Sequence, residues 1–165
     1  MQQFSDFLRD RKNKKLKADL IQYLKGLTEN YDYRDALFVN SDCQPVLYFP
    51  DKDTIIGDYL ASHLPDYIKA GNITLTDLHQ TEKVSIIHLD LVIPMKGPDT
   101  TDTSAFGALV LRIDPKRVFY PILQSWPSAT ITSEAILFHQ EGDELSLIHI
   151  SEPTRLLGIS YAVFS

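Results

Sequence analysis

Two apolar runs, Val84 to Met95 (VSIIHLDLVIPM) and Phe106 to Asp114 (FGALVLRID), constrain this chain more than any other feature. Both are rich in β-branched and aliphatic residues and read as strands. Successive side chains of a strand point to opposite faces. Ile87, Leu89, Leu91 and Ile93 therefore share one face, and His88, Asp90 and Val92 the other. In the second run Ala108, Val110 and Arg112 alternate with Leu109, Leu111 and Ile113. The polar stretch Lys96 to Ser104 joins the runs as a hairpin loop too long for a tight turn.

Before this pair the pattern is mixed. Phe4, Phe7, Leu8, Leu16, Leu20, Ile21, Leu24 and Leu27 recur at helical spacing, predicting one long helix that ends near Gly26. Within it, Arg9 to Lys17 (RDRKNKKLK) carries six cations in nine residues. Such a run can mark a membrane surface or a nucleic-acid patch, but with no hydrophobic anchor beside it a solvated helix face is the simpler reading. Asp35 to Ser41 and Pro45 to Phe49 flank a short polar turn and predict a hairpin. Thr54 to Ala70 is amphipathic and closes at Gly71-Asn72, and Ile73 to Leu78 predicts a short strand. After the long pair, Pro115 opens a helix through Gln124, Trp126-Pro127 breaks it, and Glu134 to Gln140 is a new strand. Helices interleaved with antiparallel hairpins define an α+β chain.

Composition narrows the function classes. The 165 residues are 44% hydrophobic and 23% charged, with a net charge of −6 and a pI near 5.2, which argues for a folded chain and against nucleic acid as main partner. No run reaches the roughly 18 apolar residues of a membrane span, and no signal sequence follows Met1. The single cysteine, Cys43, excludes an internal disulfide and a thiolate zinc site.

The end of the chain is expected to have a separate origin. Leu145 to Arg155 (LSLIHISEPTR), three variable residues and then Ile159 to Phe164 (ISYAVF) resemble the in-frame translation of a transposase-type sequencing-library adapter, with Ser165 departing from that pattern. The natural chain is expected to be cut near Glu144. LSLIHIS nevertheless alternates well enough to pair with Ala135 to His139, so a strand there carries no information about its source.

Leu37-Phe38-Val39 with Pro45-Val46-Leu47, Asp77-Leu78-His79, His88-Leu89-Asp90, and above all Arg112 to Pro127 (RIDPKRVFYPILQSWP) followed by Ser133 to Glu144 (SEAILFHQEGDE) resemble the extracytoplasmic double-Cache, PAS-like sensor region of bacterial membrane receptors of the histidine kinase or diguanylate cyclase type. The resemblance covers Phe4 to Glu144. It implies a signalling-type helix over 1–33, a distal Cache-like lobe with a five-stranded antiparallel sheet over 34–114, a connecting helix over 115–127, and the start of a truncated proximal lobe over 128–144, with 145–165 as adapter. It also implies a periplasmic domain of an inner-membrane protein, dimeric through the N-terminal helix, that binds a small molecule and passes a conformational change to a cytoplasmic output domain. The Tyr and Arg-x-Trp signature of some amino-acid-binding members is absent, which argues against an amino-acid ligand.

Candidate site residues follow from the strand faces. His88, Asp90 and Arg112 on adjacent strands can converge on a small polar ligand, since such pockets combine an apolar wall with a few placed polar groups. The same residues can equally form a cross-strand Asp90–Arg112 ion pair with His88 beside it. Asp77 and His79 alternate onto one face, beside Tyr48 and Tyr59 if the helix folds over the sheet. His79, His88, Asp77 and Asp90 are metal-ligating types without the spacing of a dedicated motif, so no metal and no cofactor is expected. No nucleophile elbow, P-loop or zinc-protease motif is present, so no catalysis is expected. The alternative is a soluble PAS-like interaction domain without a ligand.

Overall fold

The computed structural model describes residues 2–50, 56–81, 84–97, 105–125, 134–141, 144–148 and 159–164. The chain divides into two compact units, Met1–Pro115 and Lys116–Ser165. The helix break expected at Trp126-Pro127 and most of the Lys96–Ser104 loop lie outside the described residues.

The N-terminal apolar pattern forms two helices rather than one, α1 (Gln2–Arg9) and α2 (Lys14–Tyr31). Between Leu8 and Leu16 no apolar side chain is available to hold a continuous rod against the sheet. The chain turns there instead: the Asn13 amide donates to the Asp10 carbonyl (3.2 Å), and the Asn13 side chain caps α2 by accepting from the Leu16 amide (3.1 Å). Helix α2 runs past Gly26 and ends at Asp32, which takes the left-handed conformation (φ 57°).

The hairpin strands are β1 (Asp35–Asn40) and β2 (Pro45–Phe49). Asn40 builds their turn, its carboxamide oxygen accepting from the amides of Asp42 (3.1 Å) and Gln44 (2.8 Å). Helix α3 (Asp58–Ala70) ends on Gly71, whose φ of 68° favours a residue without Cβ. Of the strand predicted over Ile73–Leu78 only β3 (Thr74–Leu75) forms, and a further short strand, β4 (His79–Thr81), follows it. Both pair with β5 (Val84–Lys96), and β5 pairs antiparallel over Leu89–Lys96 with β6 (Ala105–Ile113). The sheet order is β2-β1-β6-β5-β3, with β4 also on β5. This is the α+β arrangement expected from the sequence, with one additional short strand. At Gly107, directly across from Asn40, a Cβ would collide with the Val39 carbonyl oxygen, so only glycine permits this approach of β6 to β1.

Both faces of this sheet are covered. On one, Phe4, Phe7, Leu20 and Leu24 of α1 and α2 pack on Ala36, Phe38, Leu109, Leu111 and Met95, with the Phe4 and Phe38 rings stacked at 4.3 Å. On the other, Leu60, Leu64 and Ile68 of α3 pack on Leu37, Val39, Val92, Ala108 and Val110. Double cover explains why every residue of β1 is buried.

The second unit holds most of α4 (Pro115–Ser125) and a separate sheet of β7 (Glu134–Glu141), β8 (Glu144–Ile148) and β9 (Ile159–Phe164). β7 is central, antiparallel to β8 and parallel to β9. The adapter-like segment thus zips onto β7, as its alternation allows.

Candidate functional site

The register lines up a charged row across three strands. Asp35 lies opposite Arg112, and Arg112 opposite Asp90. By alternation these side chains, with His88, fall on the α3 face, at the end where the aliphatic packing of Leu37, Val92 and Val110 stops.

Asp90 is the centre. It is fully buried, and its Oδ1 accepts from Arg112 Nε at 3.1 Å. Its Oδ2 lies 3.2 Å from His79 Nε2 and 3.6 Å from His88 Nε2. Arg112 also reaches Asp35 through Nη1 (3.5 Å), and Arg34 approaches Asp35 from the edge (3.7 Å). Thr76 fixes the Asp90 backbone from both sides. Its amide donates to the Asp90 carbonyl (2.9 Å) and its hydroxyl accepts from the Asp90 amide (2.8 Å). Because a side chain replaces a carbonyl in that exchange, the ladder is interrupted after β3, which is why the predicted strand stops at Leu75.

Environment sets the two carboxylates apart. At Asp90 burial pushes the carboxyl up, but the hydrogen bond from His79 and the charge of Arg112 outweigh it and hold the group below the ordinary carboxylate value. At Asp35 burial dominates over Arg112 and Arg34, and the carboxyl is raised. Tyr59 stacks on His79 (4.4 Å) and on His63 (4.6 Å); burial and its hydrogen bond with Tyr67 push its hydroxyl up to about 12.

The structure therefore brings together His79, His88, Asp90 and Arg112, with Tyr59 over the His79 ring. Asp77 contributes its backbone carbonyl, which accepts from His79 Nδ1 at 2.9 Å, while its side chain is exposed. Tyr48 faces the same side of the sheet but stands on β2 opposite Leu37, separated from β5 by β1 and β6. The Asp90–Arg112 pair expected as the structural alternative is present, enlarged by two residues the sequence reading did not single out. Asp35 was legible in principle, since DALFVN alternates it with Leu37 and Val39. Thr76 carries no pattern; its role exists only once β3 and β5 are paired. A crevice of about 240 Å³ lies on the opposite face, between α1, α2 and the sheet, lined by Phe4, Leu20, Tyr23, Phe38, Met95 and Leu109 among others.

No family model matches the chain, and no curated protein matches its sequence. Solved structures do. The sensor domain of the V. cholerae histidine kinase DctB superimposes with a TM-score of 0.53 at 16% identity, covering 77% of this chain and 47% of that one. The extracellular domain of vpHK1S-Z8, assigned to a histidine kinase, gives 0.54 at 15%, covering 74% and 49%. A domain assigned to the sensory box/GGDEF family in Vibrio parahaemolyticus gives 0.54 at 15%, covering 74% and 51%. The chain thus spans about half the length of the solved structures it matches. Its fold is that of Cache/PAS-like sensor domains of histidine kinases and GGDEF-family receptors, as the sequence resemblance implied.

Proposed function

We propose that this chain is the ligand-sensing part of a membrane-anchored bacterial receptor, and that a small polar molecule binds on the α3 face beside His79, His88, Asp90 and Arg112. The observation that carries the reading is the buried charged row on one face of a sheet whose fold neighbours are sensor domains. A ligand with differential affinity for two positions of α3 over this row would shift their populations, and the shift would be the signal. The lobe itself performs no covalent step; output belongs to a cytoplasmic domain of the parent, which lies across the inner membrane from this periplasmic part.

Pairing of two copies through the N-terminal helices needs a surface other than the apolar stripe read from sequence. Phe4, Phe7, Leu20 and Leu24 are spent on the chain's own sheet. Among the described residues no helix is long and apolar enough to cross a membrane. The anchor is sought in the source gene: reading across codon 144 in both directions should replace the adapter codons with a continuing frame and a span of about 20 apolar residues.

The direct test is a thermal-shift screen of small carboxylates, amines and heterocycles against the chain and its Arg112→Gln variant. At least one class should raise the unfolding midpoint of the parent and not of the variant. A panel without any hit, or hits indifferent to Arg112, would leave the soluble interaction domain as the better reading.

A further inference from the structure

We propose that His79, His88 and Asp90 form a binding site for a divalent transition-metal ion of the zinc class. Three independent features of the cluster point there, and none depends on the lobe sensing an organic ligand.

The first is topology. His88 and Asp90 are two residues apart on β5 and share a face, while His79 on β4 sits directly opposite His88 in the ladder. Three ligating side chains are thus held on paired strands.

The second is distance. Asp90 Oδ2 is 3.2 Å from His79 Nε2 and 3.6 Å from His88 Nε2, and one ligating atom from each residue falls within 4.8 Å of the others. Zinc bonds of about 2.0–2.2 Å in a tetrahedral arrangement place ligand atoms roughly 3.3–3.5 Å apart. The two separations to Asp90 already match that spacing, and the two imidazoles, within 4.8 Å of each other, need only close slightly around an ion. Three protein ligands leave a fourth position for water or another donor, the pattern of an open zinc site.

The third is the tautomer of His79. The Asp77 carbonyl can only accept, so the 2.9 Å contact makes Nδ1 the N–H donor. In a neutral ring Nε2 then carries a lone pair aimed at Asp90 Oδ2, itself electron-rich. That approach is attractive when a second ring proton lies between the two atoms, giving the hydrogen bond to Asp90 described above, and equally when a metal ion takes that proton's place. A backbone carbonyl on the distal nitrogen is also the usual way a metal-bound histidine is oriented. Arg112 is compatible with the ion because it holds the other carboxylate oxygen, Oδ1.

The experiment uses the full 165-residue chain, freed of metal by chelator, with Co²⁺ as optical probe and Zn²⁺ as competitor near neutral pH. Expected is one equivalent of Co²⁺ with the intense visible bands of a low-coordinate site and an affinity on the order of micromolar, displaced by Zn²⁺. X-ray absorption of the zinc form should give nitrogen and oxygen neighbours at about 2.0–2.2 Å, two of them imidazoles. That measurement needs no variant and survives any failure of one to fold. His79→Gln should weaken binding by about 100-fold or more, beyond what loss of a supporting contact causes. His63→Gln, outside the cluster, should leave it unchanged. Absence of stoichiometric binding, or binding equally strong in folded His79→Gln, would overturn the site and assign the His79–Asp90 contact to a proton instead.

Discussion

The two faces of the main sheet are built on different principles. Under α1 and α2 the contacts are apolar throughout, with stacked Phe4 and Phe38 at the centre and Leu20, Leu24 and Met95 around them. Under α3 the same strands carry Leu37, Val92 and Val110 and, two residues along on the same face, Asp35, Asp90 and Arg112. A fully buried Leu or Phe contributes about 1.5–3 kcal/mol through area removed from water. A buried ion pair contributes close to nothing over an apolar replacement of equal volume, because desolvation offsets the attraction. The α1/α2 face therefore explains why the lobe folds. The charged row does not, and its placement buried beside α3 is what makes it a candidate for recognition.

The contrast can be broken most sharply at Asp90. Asp90→Asn removes the charge that holds Arg112 Nε and faces both histidines, and the expected loss is about 3–5 kcal/mol in urea unfolding, since breaking one partner leaves the other buried and uncompensated. On the apolar face Leu24→Ala should cost a comparable or somewhat smaller amount, about 2–5 kcal/mol, by leaving a cavity under α2. If Asp90→Asn cost under about 1 kcal/mol, the row would be solvated rather than a buried network. Asn13→Ala, which removes the cap that starts α2, is worth about 1 kcal/mol. Smallest is Lys25→Ala on the solvent side of α2: its 3.7 Å pair with Glu29 is exposed, and the change should stay within about 0.5 kcal/mol.

The two buried carboxylates give the contrast a pH dependence of opposite sign. Asp90 is lowered from 3.8 in the folded chain, so its stabilisation is present above that value and lost as pH falls toward the lower folded one. Asp35 is raised from 3.8, so the folded state binds its proton more tightly and its contribution grows as pH falls through the raised value. Unfolding measured across the acid range should show the deficit of Asp90→Asn shrinking toward low pH and that of Asp35→Asn growing.

Much of this arrangement was legible before the structure. Alternation in VSIIHLDLVIPM put His88 and Asp90 on one face, and in FGALVLRID it let Arg112 converge with them, because period two is a property of the strand itself. The sheet followed from the order of helices and hairpins. What was missed depends on contacts across sequence. The break between α1 and α2 sits where the helical pattern lacks apolar residues, but its geometry is set by Asp10 and Asn13 bonding to neighbouring backbone. Thr76 enters the site chiefly through Asp90, fourteen residues later. Tyr48 joins the site only if the helix brings it over the sheet, and the strand order instead leaves β1 and β6 between it and β5.

The most direct measurement is chemical-shift mapping by NMR on the ¹⁵N-labelled chain, titrated with whichever small polar molecule raises its unfolding midpoint. The expected result is a set of perturbed amides at Thr76, His79, His88, Asp90 and Arg112, with Tyr59 on α3, while Phe4, Leu24 and Phe38 stay fixed. Perturbations gathered instead at the crevice between α1, α2 and the sheet would contradict the division of labour between the two faces and move recognition to the apolar side.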